Sequence, residues 1–386
     1  MILSVVIVNF NVKYFLEQCL HSIKKAIGQS ALLQGKTEVF IVDNASSDGS
    51  IAFLEPLYPG FRFISNTENK GFAKSNNQAL ADCSGKYILF LNPDTVLAED
   101  SLDLCLSFFE AHPNAGAVGV RMIDGCGRFL KESKRGFPTA TASFFKMSKL
   151  ASVFPSSRFF AAYYAGHLDP TSNHPVEILS GAFMMVRKDV LDLTGGFDEQ
   201  FFMYAEDIDL CYRISKAGFQ NYYLASTTII HFKGESTPRD IRYVHQFYLA
   251  MKQFMKKHFH GSSSSLLLYF LNLGVALRQR LAAAAVAFQK KSIPAAYAGP
   301  VFIKVAPENL SEVKEALQHS GIGITDKENT AGEWLFFEGG DNSLKCIIRE
   351  MDKASRRISC FIHGSGTHAA VGDGPGGIKT ILLPVS

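Results

Sequence analysis

The sequence predicts an α/β fold whose first unit is built on a mostly parallel central sheet covered by helices. Between residue 3 and about residue 125, short apolar runs of strand length alternate with longer segments whose apolar residues recur at helical spacing. Several of these runs end in polar turns bearing Asp, Asn or Gly, as strands do where an α/β sheet opens to ligands.

Residues 3–10 read as a buried first strand, and residues 15–26 follow as a helix. Residues 38–42 form the next strand, ended by Asp43-Asn44-Ala45-Ser46-Ser47-Asp48-Gly49-Ser50, a polar loop able to cap a helix from Ile51. After a strand at 61–65, Asn69-Lys70-Gly71-Phe72-Ala73 leads into a helix through Leu80. The apolar strand 87–91 then delivers the turn Asn92-Pro93-Asp94, and a further helix and a strand at 117–120 complete this half. Residues 124–175, rich in Phe, Ser and Pro, are too long for an ordinary connection and are expected to form a mobile, substrate-facing region. Order returns at 177–187. Gly195-Gly196-Phe197-Asp198 then turns the chain toward Glu206-Asp207-Ile208-Asp209, which opens a helix. A strand at 222–231 and an amphipathic helix at 239–259 close the segment.

A chain of 386 residues is long enough for two or three domains, and the units expected are 1–235, 236–297 and 298–386. A net charge of +3 is too small to suggest nucleic-acid binding by the chain as a whole. The seven cysteines are scattered singly, without zinc or redox spacing, and read as reduced thiols of a cytosolic protein. The first eight residues lack the basic start of a signal peptide. The middle unit is basic: Arg239, Arg242, Lys252, Lys256, Lys257, Arg278, Arg280, Lys290 and Lys291 stand against Asp240 alone. Its apolar run 266–277 is shorter than a membrane span, and Arg278-Gln279-Arg280 interrupts it. A helix lying in an anionic membrane interface is expected, the alternative being a helix packed on protein. The last unit reads as a small α/β domain, with strands at 301–305, 334–337 and 358–363 and helices at 310–319 and 344–354. Trp334 is expected in its core. Gly372-Asp373-Gly374-Pro375-Gly376-Gly377 is read as a turn rather than a phosphate cradle.

Two acidic clusters stand out, one at a strand's carboxyl end and one at a helix start, where backbone dipoles favour carboxylates in any case. The order Val8-Asn9-Phe10-Asn11, Val42-Asp43-Asn44-Ala45-Ser46-Ser47-Asp48-Gly49, Asn69-Lys70-Gly71-Phe72, Asn92-Pro93-Asp94, Gly195-Gly196-Phe197-Asp198, Glu206-Asp207-Ile208-Asp209-Leu210 and His231 resembles family 2 glycosyltransferases. It looks most like their bacterial rhamnosyltransferase-like branch. The resemblance covers about residues 1–260. Each motif is weak alone; their order and spacing together are specific. What the resemblance implies is a GT-A nucleotide-sugar-binding fold, a nucleotide-sugar donor, a divalent metal (Mg2+ or Mn2+) and transfer with inversion at the anomeric carbon.

On that resemblance, Asp94 holds the metal on the diphosphate, whose departing charge a cation neutralises. The family's usual pattern is two aspartates flanking one residue. Asn92 stands at the first of them, which leaves one anionic donor, and a hard cation completed by phosphate and water accepts that. His231 is the second candidate ligand, imidazole suiting manganese better than magnesium. Inversion requires attack from the face opposite the diphosphate, so Asp207 is expected as general base, with Glu206 tuning or replacing it. Asp209 is expected to face elsewhere or to pair with Arg213. Asn9 and Asp43 are assigned to the base and ribose, Lys70, Gly71 and Asn92 to the donor, and Gly196, Phe197 and Asp198 to the acceptor side. The expected reaction moves a sugar from deoxythymidine-diphosphate rhamnose or a uridine-diphosphate hexose to a hydroxyl of a bacterial surface glycan or lipid-linked oligosaccharide. It is expected at the cytoplasmic membrane face, with peripheral membrane contact. One alternative is a sugar nucleotidyltransferase, which needs a basic glycine-rich signature where Asn9-Phe10-Asn11 stands. Another is a non-catalytic nucleotide-sugar-binding subunit, against which the presence of both Asp94 and Asp207 argues.

Overall fold

The computed structural model describes residues 1–139, 141–142, 145, 150–233, 241–258, 301–305, 310–319, 323–325, 333–353, 359–372 and 380–382. Its first sheet has nine strands, β1 (Leu3–Asn9), β2 (Thr37–Asp43), β3 (Arg62–Ser65), β4 (Tyr87–Leu91), β5 (Thr95–Val96), β6 (Ala115–Ile123), β7 (His174–Val176), β8 (Phe183–Arg187) and β9 (Gln220–His231). They lie in the order β3-β2-β1-β4-β8-β6-β9-β5, with β7 paired to β9. Every residue of β1 is buried, and its side chains divide by the two-residue period of a strand. Val5 and Ile7 pack with Leu16, Leu20 and Ile23 of the helix Lys13–Gln29 and with Leu102 and Leu106 of the helix Ser101–Ala111. Val6 and Val8 face the other layer, with Ile208, Cys211 and Ile214 of the helix Glu206–Lys216 and Phe254 and Met255 of the helix Ile241–His258.

Pairing is parallel through β3-β2-β1-β4, as the strand-helix alternation predicts. Beyond β4 the sheet is mixed: β8 runs antiparallel to both β4 and β6, β9 is parallel to β6, and β5 and β7 are antiparallel to β9. The physical reason is the connection. Residues 124–182 carry the chain from β6 to β8, and their described residues hold only short helices, not the long helical crossover that parallel neighbours need.

The second sheet has six strands, β10 (Val301–Lys304), β11 (Ile324–Thr325), β12 (Glu333–Phe337), β13 (Ser359–His363), β14 (Ala369–Gly372) and β15 (Thr380–Leu382), in the order β11-β10-β12-β13-β14-β15. It is docked on the first unit through a shared apolar cluster. Phe15, Val96, Ile230 and Phe232 meet Trp334, Phe336, Ile347, Ile348 and Met351 there. Polar contacts fix the register of the two units. Glu99 accepts the backbone N–H groups of Leu344 and Lys345, each at 2.7 Å, at the start of the helix Leu344–Lys353. Glu338 pairs with Lys25 at 3.1 Å and His21 at 2.5 Å. Gly127, with φ of +72°, has to be glycine because a side chain there would collide with the Met351 carbonyl.

Within residues 236–297, the helix Ile241–His258 packs its Ala250, Met251, Phe254 and Met255 into the core of the first unit. The apolar run 266–277, the arginines that follow it and residues 373–377 of the glycine-rich turn lie outside the described residues. Among the described residues no helix is long and apolar enough to cross a membrane. No two of the seven cysteines, all within the described residues, are joined by a disulfide.

Candidate active site

Asp94 emerges just past the carboxyl end of β4, and the next residues, Thr95 and Val96, pair as β5 with His231 and Ile230 at the end of β9. This short ladder, tied by Phe232 N–H to the Asp94 carbonyl at 3.0 Å, brings two distant segments of the sequence together. His231 Nε2 stands 3.4 Å from Asp94 Oδ1 and 3.4 Å from Asn92 Nδ2. All three side chains are among the residues lining a cleft of about 250 Å³ whose lining also includes Glu206 and Asp207. The two acidic clusters therefore share one cavity.

Glu206 and Asp207 open their helix after two residues in the left-handed region, Tyr204 (φ 71°) and Ala205 (φ 65°). Strain of this kind costs about 1–3 kcal/mol per residue and persists only where surrounding structure holds it. Asp207 Oδ2 is ion-paired with Arg135 Nη2 and accepts the Gly181 N–H at 3.2 Å, while Oδ1 accepts the Ile208 N–H at 2.8 Å. Burial disfavours the charge on Arg135, yet the Asp207 carboxylate outweighs it and holds the guanidinium above its usual pKa. Glu206 has the opposite environment. It is buried, its Oε2 meets no hydrogen-bond partner among the described residues, and burial reinforced by the adjacent Asp207 charge pushes its pKa up to about 8.

An acid with a folded pKa of about 8 and an ordinary value of 4.5 loses stability for the fold as pH rises, because the unfolded chain ionises first. Below about pH 4.5 both states are protonated and the penalty is absent. Glu206→Gln removes the penalty. The melting temperature of that variant, measured against the parent's by differential scanning fluorimetry, should gain steadily between about pH 5 and pH 8. A difference that stays flat across this window would show that Glu206 ionises normally.

The other expected site residues are placed as follows. Asn9 Nδ2 donates to Asp43 Oδ1 at 2.7 Å, and Asp43 also accepts the Ser46 N–H at 2.9 Å and hydroxyl at 2.5 Å. Asp43 closes the loop after β2, the buried Oδ1 of Asn9 makes no hydrogen bond among the described residues, and the neighbouring Asn44 joins the cleft lining. Lys70 donates to Asn66 at 2.8 Å and Gln78 at 3.3 Å, away from the lining. Gly71, with φ of +83°, has no room for a side chain because a Cβ would lie 2.6 Å from the Phe202 carbonyl. It lets the two loops flanking the cleft approach. Gly196, Phe197 and Asp198, expected on the acceptor side, do not line the cleft. Phe197 is core, its backbone is clamped by Asn77, and Asp198 pairs with Lys257 at 2.6 Å. They brace the turn that leads to Glu206. Asp209 pairs with Arg213 at 2.7 Å, as helical spacing predicts, and also with Lys257 and His258.

Sequence reasoning missed Arg135, Gly181, Tyr204 and Lys233. Arg135 belongs to the irregular stretch after β6 and reaches Asp207 only because it forms a backbone bridge with Ile178. Lys233 lines the cleft from a left-handed residue (φ 62°) and pairs with Glu132. A lysine two positions beyond a candidate ligand histidine was the one signal available for it.

Among the described residues no group of three or more His, Cys, Asp or Glu side chains is arranged to hold a metal by itself. Asp94 and His231 nevertheless converge beside Asn92, and the buried Nδ1 of His231 makes no hydrogen bond among the described residues. This donor set fits a hard cation that keeps other positions for diphosphate oxygens and water.

The model of the family described as glycosyl transferase family 2 matches residues 4–194. An N-acetylglucosaminyl-diphospho-decaprenol L-rhamnosyltransferase of Mycobacterium tuberculosis is 30% identical over 250 residues, covering 62% of this chain and 78% of its own. Rhamnosyltransferase WbbL of Escherichia coli is 32% identical over 182 residues, covering 45% of this chain and 65% of its own. A solved mannosyltransferase of Pyrobaculum calidifontis is 19% identical, with a TM-score of 0.47 over 75% of this chain and 76% of its own. The first of these relatives is 30% identical and is spanned for 78% of its length, and the chain accordingly belongs to glycosyl transferase family 2, as a rhamnosyltransferase-like glycosyltransferase.

Proposed function

We propose that the chain is an inverting, metal-dependent glycosyltransferase that moves rhamnose or a hexose from its nucleoside diphosphate to a hydroxyl of a bacterial surface glycan or lipid-linked oligosaccharide. The single observation that carries this reading is the shared cleft, with Asp94 and His231 in the same lining as Glu206 and Asp207. Asp94, His231 and Asn92 are the residues to hold Mg2+ or Mn2+. When bound, a divalent cation supplies electrostatic stabilisation to the departing diphosphate. Asp207 accepts the acceptor's O–H proton as that oxygen bonds to the anomeric carbon. On the opposite face the bond from this carbon to the diphosphate oxygen breaks, and its electron pair leaves with the nucleoside diphosphate. Asn44 and the Gly181 backbone line the same cleft and restrict how the donor sits.

The M. tuberculosis relative is named for transfer onto a diphospho-decaprenol lipid, which supports a lipid-linked acceptor here. The excess of lysine and arginine over acid in residues 236–291 supports peripheral contact with the cytoplasmic membrane face. The testing experiment is a donor screen that reads nucleoside-diphosphate release in the presence of N-acetylglucosaminyl-diphosphate lipids in anionic vesicles. Turnover is expected with deoxythymidine-diphosphate rhamnose or a uridine-diphosphate hexose, with loss in EDTA, recovery in Mg2+ or Mn2+, and sedimentation of the protein with the vesicles. Consumption of no donor would sink the reading. Full turnover in EDTA removes the metal, a retained anomeric configuration by NMR removes inversion, and protein left in the supernatant removes membrane contact.

A further inference from the structure

We infer that Arg135 is a positioning residue that supplies the counter-charge of the Asp207 carboxylate and fixes the direction in which it receives the acceptor proton. The inference rests on the proposed role of Asp207 as base. Two adjacent carboxyl groups in a shared, partly dry site do not both ionise cheaply, and whichever has the better counter-charge keeps the anion. Arg135 is built to make that choice. Its backbone is pinned by a reciprocal pair of hydrogen bonds with Ile178, each 3.0 Å long. Its Nη2 donates both to the Leu179 carbonyl, at 2.8 Å, and to Asp207 Oδ2. The guanidinium is therefore anchored on a fixed backbone segment while it holds one carboxylate edge.

The Gly181 and Ile208 N–H groups take the remaining contacts of Asp207 and orient the plane of the carboxylate. Among the described residues, Arg135, Glu206, Tyr163 and Cys211 interact electrostatically with Asp207, and Asp94, His231 and Lys233 share its cleft. Burial raises the pKa of Tyr163 and pushes the Cys211 thiol up to about 12, so neither contributes charge near neutrality. Arg135 is the cation in direct contact with Asp207. Arg135 also has no motif to mark it, which separates it from the residues that the family resemblance assigns.

The test is the pH profile of kcat and kcat/KM for the parent, Arg135→Met, Arg135→Gln, Arg135→Lys and Asp207→Asn. Without the guanidinium, the acid limb of kcat should move to higher pH by about one to three units, the reach of a close opposite charge. Loss of rate should accordingly be far larger at pH 6 than at pH 9, with donor KM changed less than kcat. Arg135→Lys should return part of the shift. Arg135→Gln, which keeps a donor for the Leu179 carbonyl, decides the matter if Arg135→Met does not fold. A uniform loss of rate with an unmoved limb, alongside an inactive Asp207→Asn, would overturn the role of Arg135 alone. An active Asp207→Asn would overturn the assignment of the base, and this inference with it.

Discussion

Asp94→Ala should lower kcat by about 10²- to 10³-fold, the scale on which a single electrostatic group aimed at developing charge is felt. The sequence makes this position unusually exposed to loss. Asn92 occupies the place where the family pattern carries a second aspartate, so no other carboxylate of that turn can take over the cation. His231, 3.4 Å from Asp94, is neutral when it acts as a ligand and cannot replace the negative charge. Asp94→Asn should fall nearly as far, because an amide keeps the shape and loses the charge. His231→Ala should fall less, since imidazole is a weaker partner for a hard cation and diphosphate oxygens can take its place. The fold should survive all three changes, because the β5–β9 ladder is joined by backbone groups, the Asp94 carbonyl among them, that every one of these variants keeps. Nucleoside-diphosphate release at saturating donor, read beside the affinity of the nucleotide in Mn2+ by calorimetry, separates lost binding from lost chemistry. Turnover above about a tenth of the parent's in Asp94→Ala would remove this residue from the diphosphate site.

The parts of this molecule that were legible in the sequence are those set by long apolar periodicity. β1, β2 and β4 are buried runs, and Asp94 follows β4 where an open α/β sheet presents its ligands. The meeting of Asp94 with His231 rests on β5, two residues long, which no periodicity can signal. Its pairing comes from β9, more than a hundred residues later, so that this half of the site is tertiary information. Arg135 was illegible for the same reason: the described residues of the stretch after β6 hold only short elements, and the bridge to Ile178 is a single pair. Gly195-Gly196-Phe197-Asp198 reads as a site motif, and its packing is again tertiary information: Gly196 and Phe197 meet Asn77, and Phe197 meets Phe90. In the last unit, β14 is too small in its side chains and β15 too short to have been separated from loop.

Asp207→Asn should abolish transfer by about 10²- to 10⁴-fold, the usual contribution of a positioned base. It should also destabilise the protein, and the two effects have to be told apart. Arg135 and Asp207 form a buried pair, with side chains only 12% and 14% exposed, and an asparagine leaves the guanidinium without its counter-charge. Removing one partner of such a pair costs about 3–5 kcal/mol, whereas removing both often costs little. The double variant Arg135→Met/Asp207→Asn should therefore recover much of the stability that Asp207→Asn loses, while recovering none of the transfer. Denaturant midpoints and single-turnover rates on the same four proteins complete the cycle. If stability and transfer return together in the double variant, Asp207 is a structural partner of Arg135, and the base lies elsewhere in the cleft. Glu206 is then the next carboxyl group in reach, and its pKa of about 8 would confine transfer to alkaline solution, where it is ionised.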